Sequence, residues 1–192
     1  MFKTDIAKAY DSVSWRYLDE IMKAMNFGSK WRGWIKACLR SSAMSVLVNG
    51  SPTSEFMMER GLRQGDPISP FLFTLVMEGL SLAVNKAVEG GLFKDLKVGK
   101  NNVSMSHLFF ADDAVFIGEW NLDNALSLIS ILMCFKKASG LQVNYEKSSL
   151  YGVGLDQQSV ESLANLLGCK ADKLPAKFLG IPIGCNMSRI EK

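Results

Sequence analysis

Two adjacent carboxylates, Asp112 and Asp113, lie between two apolar runs in the segment HLFFADDAVFI, His107 to Ile117. A hairpin turn needs only one such residue, and Asn-Gly would turn the chain without placing like charges side by side. Paired carboxylates at a hairpin tip suit a divalent cation such as Mg²⁺, which prefers oxygen ligands. The segment therefore predicts a metal-binding hairpin. A purely structural Asp-Asp turn is the simpler alternative.

A further carboxylate, Asp5, lies near the end of the first predicted strand, Phe2 to Ile6. Taken alone, it is most simply a solvated residue at a strand end. If this strand neighbours the Asp112 strand in one sheet, the two carboxylates converge at the same edge. Two divalent cations held about 4 Å apart can activate an attacking hydroxyl and stabilise the oxygen that leaves a phosphoryl group. The carboxylates together therefore indicate metal-assisted nucleotidyl transfer.

The third segment of interest is GLRQGDPISPF, Gly61 to Phe71. Its glycines permit a close backbone approach, and the side chains of Arg63 and Gln64 offer donors to a phosphate or a base. Ser69-Pro70 is typical of a helix start, with a capping serine before proline at the first helical position. The segment predicts a binding loop that enters a helix, and a helix-entry loop with incidental polar residues is the alternative.

The periodicity of apolar residues predicts the elements that must position these side chains. A strand at residues 2–6 precedes two helices, one over residues 15–26 that Ser14 caps and one from Ser29 onward. Further predictions are a hairpin around Asn49-Gly50, a helix over 69–88, two strands within 104–117, a helix over 121–138, strands over 149–153 and 178–183, and a helix over 159–167. This order predicts an α+β fold, a mostly antiparallel sheet backed by helices.

Large apolar side chains give two further expectations. Trp15, Trp31 and Trp34 are expected in the core, as large aromatics usually are. The helix from Ser69 is apolar around most of its circumference, so it should be buried. Its apolar stretch, Phe71 to Val84, is interrupted by a glutamate and is shorter than the roughly 20 residues that span a bilayer, so no membrane contact is expected.

Composition narrows the class of protein only a little. The 192 residues carry a formal net charge of +3, which neither supports nor excludes a nucleic-acid partner. The four cysteines, Cys38, Cys134, Cys169 and Cys185, are far apart and accompany a single histidine, so a structural zinc site is not expected. Dispersed thiols and an N-terminus without an apolar signal core predict an intracellular protein.

Five sequence blocks, taken in order, resemble the palm motifs of reverse transcriptases from non-LTR (LINE-type) retrotransposons, particularly those of plants. The blocks are FKTDIAKAYDSV, GLRQGDPISPFLF, FFADDAVF, SGLQVNYEKS and FLGIPIG, and they span nearly the whole chain. The resemblance implies a single palm fragment over residues 1–192, with the palm core at about 1–150 and a distal, primer-grip-like region at about 151–192. It also implies that the fingers and thumb of such an enzyme lie outside this stretch.

The resemblance implies a role for each residue of the carboxylate cluster. Asp5 and Asp112 correspond to the principal metal ligands, and Asp113 completes the carboxylate triad. Lys147 corresponds to the lysine that protonates the leaving pyrophosphate, and a solvated lysine is the alternative. The implied cofactor is a pair of Mg²⁺ ions, with Mn²⁺ as a substitute. Phe110 stands where many reverse transcriptases have tyrosine.

The same resemblance implies a substrate site. Tyr10 corresponds to the aromatic residue that packs beneath the incoming sugar and rejects a 2′-hydroxyl, and a core aromatic is the alternative. Arg63 is a cation that can help bind the triphosphate, and Gln64 and Gly65 correspond to positions against the incoming nucleotide and the template. The implied partners are an RNA template, a DNA primer and a dNTP; the sequence identifies no protein partner. Residues 178–184 correspond to a hairpin that grips the primer end.

Three functions remain open at this point. The first is an RNA-directed DNA polymerase palm, and the second is a sugar-nucleotide transferase with an Asp-Asp metal site. The third is a truncated or domesticated relic that binds RNA without turnover. Because only Lys3, Lys8, Arg63 and Lys147 can offset the repulsion between the carboxylates and a triphosphate, we expect little polymerase activity from the isolated fragment.

Overall fold

The computed structural model describes residues 1–184. The described chain forms two compact units. The first unit comprises Met1–Ile6, Val84–Ile131 and the described part of Val143–Lys192. The second unit comprises Ala7–Ala83 and Leu132–Gln142. Cys185, one of the four cysteines predicted to be free thiols, lies outside the described residues.

The described residues form an α+β fold, as the sequence predicted. The helices are α1 (Ala9–Ser12), α2 (Trp15–Ala24), α3 (Ser29–Arg40), α4 (Ser69–Glu89), α5 (Leu122–Ser139) and α6 (Gln157–Leu167), with a 3₁₀ turn at Tyr145–Lys147. The strands are β1 (Phe2–Ala7), β2 (Ala43–Met44), β3 (Leu47–Val48), β4 (Ser51–Pro52), β5 (Phe56–Met57), β6 (Leu96–Val98), β7 (Val103–Met105), β8 (His107–Phe110), β9 (Asp113–Phe116), β10 (Gln142–Val143), β11 (Ser149–Tyr151), β12 (Lys170–Asp172), β13 (Ala176–Phe178) and β14 (Ile181–Ile183).

The main sheet of the first unit has the strand order β12-β11-β1-β9-β8. All of these neighbours are antiparallel except β11 and β12, which run parallel. Strand β1 lies between β11 and β9, and its residues alternate between buried Phe2, Thr4 and Ile6 and more exposed Lys3 and Asp5. The condition set in the sequence analysis, that the Asp5 strand neighbours a strand beside Asp112, is therefore met.

Aromatic rings fill the core beside this sheet. Phe2 and Phe116 are fully buried, and their rings stack with centroids 6.2 Å apart. Phe109 meets Phe116 edge-on at 5.5 Å, and Trp120 meets Phe2 edge-on at 6.3 Å. Burying one such side chain contributes about 1.5–3 kcal/mol, so this cluster is a major part of what fixes β1 against β9.

Helices α2 and α3 belong to the second unit, and they begin at the residues that the sequence predicted. The Ser14 hydroxyl accepts a hydrogen bond from the Tyr17 N–H at 3.3 Å, which caps α2. The carboxylate of Asp19 on α2 pairs with Lys36 at 2.8 Å and with Arg32 at 3.4 Å, both on α3. Ile35 is buried, so one face of α3 is held inward while the rest of the helix faces solvent.

The hairpin predicted around Asn49-Gly50 is confirmed, with shorter strands than the sequence indicated. Strand β3 pairs with β4, and further from the turn β2 pairs with β5. Both turn residues have positive φ, Asn49 at 50° and Gly50 at 80°. This is the conformation of the two-residue turns that match the twist of a β-ribbon, which explains why Asn-Gly occurs here.

The expected core position of two tryptophans was wrong, and the expected burial of the helix from Ser69 is met only in part. Trp31 and Trp34 are 37% and 55% exposed, because Ile35 rather than either tryptophan takes the inward position on α3. Helix α4 has 21 residues, extending beyond the apolar stretch at both ends, and by length and composition it could cross a membrane. It is buried in part, and Leu72, Val76 and other core residues account for its apolar character.

We predict that Gly61→Ala destabilises the chain more than Gly65→Ala does. Both glycines have φ near +85°, so each substitution adds backbone strain of about 1–2 kcal/mol. A Cβ on Gly61 would also lie 2.8 Å from the Asp11 carbonyl oxygen, whereas a Cβ on Gly65 would meet nothing within 4 Å. Urea unfolding should show a further loss of about 1–3 kcal/mol for Gly61→Ala. Equal losses would contradict the steric argument.

Candidate active site

Asp5 on β1 lies directly opposite Asp113 on β9. Cross-strand partners have Cβ atoms about 4.5–5.5 Å apart and point to the same face of the sheet, and like charges in that position are destabilising. The Asp5 side chain is 33% exposed and Asp113 is half-buried, so both carboxylates remain open to solvent or a ligand. This pair carries a cost that a bound cation would remove.

Asp112 occupies the turn between β8 and β9, one residue before the cross-strand pair. Its backbone oxygen accepts a hydrogen bond from the Ile6 N–H at 3.3 Å, and its side chain is exposed. Ala111, the other turn residue, has φ 51°, a conformation that costs a non-glycine residue about 1–2 kcal/mol. The tight turn thus places three carboxylates at one end of β1 and β9.

Lys147 lies beside Asp5, with its Nζ 4.0 Å from Asp5 Oδ2. Its side chain is 72% exposed, so this ion pair adds little stability. Asn144 positions it: the Asn144 N–H donates to the Asp5 carbonyl at 2.8 Å, and the Asn144 side chain accepts from the Lys147 N–H at 3.3 Å. The sequence analysis did not single out Asn144, although asparagine often caps a turn by accepting a nearby backbone N–H.

A buried hydroxyl pair holds this turn against β1. The Ser148 hydroxyl oxygen lies 2.7 Å from Thr4 Oγ1 and 2.7 Å from the Asn144 carbonyl oxygen. Thr4 and Ser148 are both buried, and they flank Asp5 and Lys147 in the chain. The pair therefore fixes the spacing between the strand that carries Asp5 and the turn that carries Lys147.

The donors at this edge fit a divalent cation, although the site is not preformed. Within residues 1–184, no three His, Cys, Asp or Glu side chains are grouped closely enough to hold a metal ion. Mg²⁺ is commonly bound by one or two carboxylates and completes its shell with water and substrate phosphates. A pair of facing aspartates with a third in the adjoining turn matches that requirement. The three carboxylates as joint metal ligands stay a prediction.

The cysteine close to this sheet, Cys169, is neither a nucleophile nor a metal ligand at neutral pH. Burial raises the pKa of the Cys169 thiol to about 11, so the thiol is protonated at neutral pH. The thiolate is the nucleophilic and metal-binding form of cysteine, and Cys169 lacks it under these conditions.

The remaining predicted site residues lie in the second unit. Arg63, Gln64 and Gly65 are exposed on the loop that leads into α4. The Asp66 carboxylate accepts a hydrogen bond from the Ile68 N–H at 3.0 Å, and the Asp66 carbonyl accepts from the Ser69 N–H at 3.1 Å. Asp66 therefore has a structural role in ordering the helix entry, whereas the exposed loop residues are left available to a ligand.

Tyr10 is attached to the same loop through the backbone. Its carbonyl accepts a hydrogen bond from the Leu62 N–H at 2.6 Å, and its ring stacks on Phe73 with centroids 5.1 Å apart and planes 14° apart. The residue is half-buried, so the ring is held firmly by Phe73 while part of it remains accessible. An open cavity of about 700 Å³ lies along the loop, and Arg63 and Gln64 contribute to its lining.

The predicted site residues thus fall into two groups. Asp5, Asp112, Asp113 and Lys147 belong to the first unit. Residue 10 and residues 63–65 belong to the second unit. The region predicted to grip a primer forms the β13–β14 hairpin in the first unit, and Lys3 Nζ on β1 donates to the Lys177 carbonyl on β13 at 2.7 Å.

Comparison with known proteins identifies several relatives of this chain. The chain is 36% identical to an uncharacterized mitochondrial protein of Arabidopsis thaliana over 56% of its own length and 88% of that protein. It is 27% identical to the Pol polyprotein of retrotransposable element R2 of Popillia japonica, over 74% of this chain and 22% of the polyprotein. It is 29% identical to the transposon TX1 149 kDa protein of Xenopus laevis, over 92% of this chain and 12% of that protein.

These relatives include proteins of LINE-type elements, and the chain spans less than a quarter of each of the two transposon proteins. The family model for "Reverse transcriptase (RNA-dependent DNA polymerase)", a family of nucleotidyltransferases, matches residues 1–183. That match contains both the Asp5–Asp113 edge and the loop at residues 63–65. The chain belongs to the reverse transcriptase (RNA-dependent DNA polymerase) family.

Proposed function

We propose that this chain is the palm of an RNA-directed DNA polymerase from a retrotransposon, which adds a dNTP to the 3′-hydroxyl of a DNA primer on an RNA template. The observation that carries the proposal is the register of β1 against β9, which sets Asp5 opposite Asp113. Asp112 lies in the adjoining turn. Family membership supports the polymerase chemistry, and reverse transcriptases generally use divalent metal ions.

In the proposed mechanism Asp5, Asp112 and Asp113 are the residues that would hold two Mg²⁺ ions, for which Mn²⁺ could substitute. Bound there, the metal would supply Lewis-acid activation of the primer hydroxyl and neutralisation of charge on the triphosphate. The primer 3′-hydroxyl loses its proton to solvent water, and its oxygen forms a bond to the α-phosphorus while the bond from that phosphorus to the pyrophosphate oxygen breaks. Lys147, held beside Asp5, gives a proton to the leaving pyrophosphate.

The second unit supplies the proposed substrate contacts. Tyr10, supported from one side by Phe73, packs against the sugar of the incoming nucleotide and excludes a 2′-hydroxyl. Arg63 offers a cation to the triphosphate, and Gln64 and Gly65 lie against the nucleotide and the template. The exposure of these three loop residues, with Asp66 ordering the loop behind them, supports the assignment.

The alternative of a sugar-nucleotide transferase is set aside, because the reverse transcriptase family model covers nearly the whole chain. We also propose that the protein is intracellular. Cys38, Cys134 and Cys169 are free thiols in the described residues, and such thiols suit a reducing compartment.

Primer extension on an RNA template tests the proposed function. We expect template-dependent dNTP incorporation from a longer polypeptide in which fingers and thumb regions flank these residues. The 192 residues alone should give no more than background, since few cations here offset the carboxylates. Processive synthesis by the 192 residues would contradict the second expectation. If the longer polypeptide binds the RNA template but incorporates no dNTP, the protein is a non-catalytic relic and the proposed polymerase function is overturned.

A further inference from the structure

Helix α3 presents two tryptophans to solvent. Trp34 is 55% exposed and Trp31 is 37% exposed, and their rings meet edge-on with centroids 6.3 Å apart. Lys30 Nζ lies 5.3 Å from the centroid of the Trp34 ring. We call Lys30, Trp31 and Trp34 the α3 tryptophan face. Exposed tryptophan is costly to hydrate, so a paired and accessible set is a candidate binding surface.

The charge of α3 indicates what this surface binds. The helix carries four cations, Lys30, Arg32, Lys36 and Arg40, and no anion, although the whole chain has a net charge of only +3. Because α3 carries cations and no acidic residue, its exposed apolar surface does not suit a basic or neutral peptide. It is complementary to a polyanion that also has flat apolar groups.

The packing of α3 keeps the tryptophan face outward. Asp19 on α2 pairs with Arg32 and Lys36, and Ile35 is 2% exposed on the inward side of the helix. Two of the four cations are thereby used in anchoring α3, while Lys30 stays beside the exposed ring. The orientation of Trp34 is therefore set by contacts on the opposite side of the helix.

We propose that the α3 tryptophan face binds single-stranded nucleic acid, as a contact additional to the proposed active site. Bases stack on the Trp34 and Trp31 rings, and Lys30 moves from the ring to a neighbouring phosphate. A cation–π contact at an exposed site is weak enough to exchange in this way. Stacking on tryptophan accepts any base, so the contact is independent of sequence. The proposal rests on α2 and α3 alone and does not require that the carboxylate edge be catalytic.

Fluorescence anisotropy with the full 192-residue chain tests the proposal. The probes are fluorescein-labelled oligouridine RNA and oligothymidine DNA of about 15 nucleotides, with EDTA and without nucleotide, so polymerase activity does not enter. We expect Trp34→Ala to weaken binding by about tenfold and Trp34→Phe to weaken it less, because phenylalanine still stacks. Lys30→Ala should lower the slope of log affinity against log salt by about 0.7.

Two matched control variants distinguish the loss of the α3 tryptophan face from the loss of any exposed apolar or basic side chain. Leu92→Ala removes another exposed apolar side chain, 67% exposed, and Lys86→Ala removes an exposed lysine that is paired with Glu89. Each control should change affinity by less than about twofold, since neither side chain can stack and salt-bridged surface lysines contribute little. Circular dichroism should confirm that every variant keeps the wild-type helix content.

Photocrosslinking gives a local measurement. Oligonucleotides containing 5-bromouridine should crosslink to the peptide that holds Trp31 and Trp34. Unchanged affinity in Trp34→Ala, or crosslinks that map only to other peptides, would overturn the proposal. So would self-association in sedimentation that Trp34→Ala abolishes while nucleic-acid binding stays intact, because the face would then bind a second copy of the chain. Stronger binding to RNA than to DNA, or the reverse, identifies which nucleic acid the face prefers.

Discussion

Asp112→Asn, introduced into a polypeptide competent for primer extension, should lower the rate of dNTP incorporation by about 100- to 1000-fold, the range found when one electrostatic contributor to a transition state is removed. Asparagine keeps the size of the side chain and the turn, but it lacks the negative charge that holds a divalent cation. The carboxylate is exposed, so the substitution leaves the core unchanged. Single-turnover incorporation at saturating primer-template measures the effect.

Asp123→Asn is the matched control for this experiment. Asp123 is an exposed acid in the first turn of α5, and its loss removes the same charge from the same unit of the fold. It should change the incorporation rate by less than about twofold, as surface substitutions away from a site generally do. An Asp112→Asn enzyme that retains most of its activity would show that the reacting groups assemble elsewhere.

Phe116→Ala should produce the largest loss of stability, about 3–5 kcal/mol. The side chain is fully buried, stacks on Phe2 and meets the edge of Phe109, so its removal leaves a cavity inside an aromatic cluster. Small domains have a free energy of unfolding of only about 5–15 kcal/mol, so this loss would remove a large fraction of the total stability. Urea unfolding followed by circular dichroism gives the difference.

Val103→Ala serves as the comparison, because Val103 lies on β7 with 58% of its surface exposed. Its free energy of unfolding should stay within about 0.5 kcal/mol of the wild type. A loss below about 1 kcal/mol for Phe116→Ala would mean that the site collapses around the missing ring, contrary to the close packing expected of a protein core.

The sequence allowed the Asp5 strand to neighbour the hairpin but did not require it, since apolar runs on both sides of Asp112 and Asp113 are typical of sheet strands; in the structure β9 is largely buried and β8 is not. The register could not be predicted. A shift of one residue reverses the face of every side chain, and only the packing of Phe2 and Phe116 shows that Asp113 is opposite Asp5. The sequence therefore indicated which edge of the sheet carries the aspartates, but it did not indicate which aspartate faces Asp5.

The short strands and the exposure of Trp34 also could not be predicted from the sequence. Strand β12 has three residues and pairs in parallel with β11, so no apolar periodicity marks it. The hairpin of β6 and β7 is equally short and exposed. Lys36 on the same helix as Trp34 pairs with Asp19, a residue of another helix, and no local pattern in α3 predicts that contact.

Facing aspartates in a central strand pair have a thermodynamic consequence that turnover assays do not reveal. Repulsion between Asp5 and Asp113 exists only when β1 and β9 are paired, so an ion that relieves it favours the native chain over the denatured one. Resistance to urea should then rise with free Mg²⁺ by an amount that depends on occupancy, even in a chain that never meets a primer. The bound ion would act as a structural ligand of the sheet as well as a cofactor.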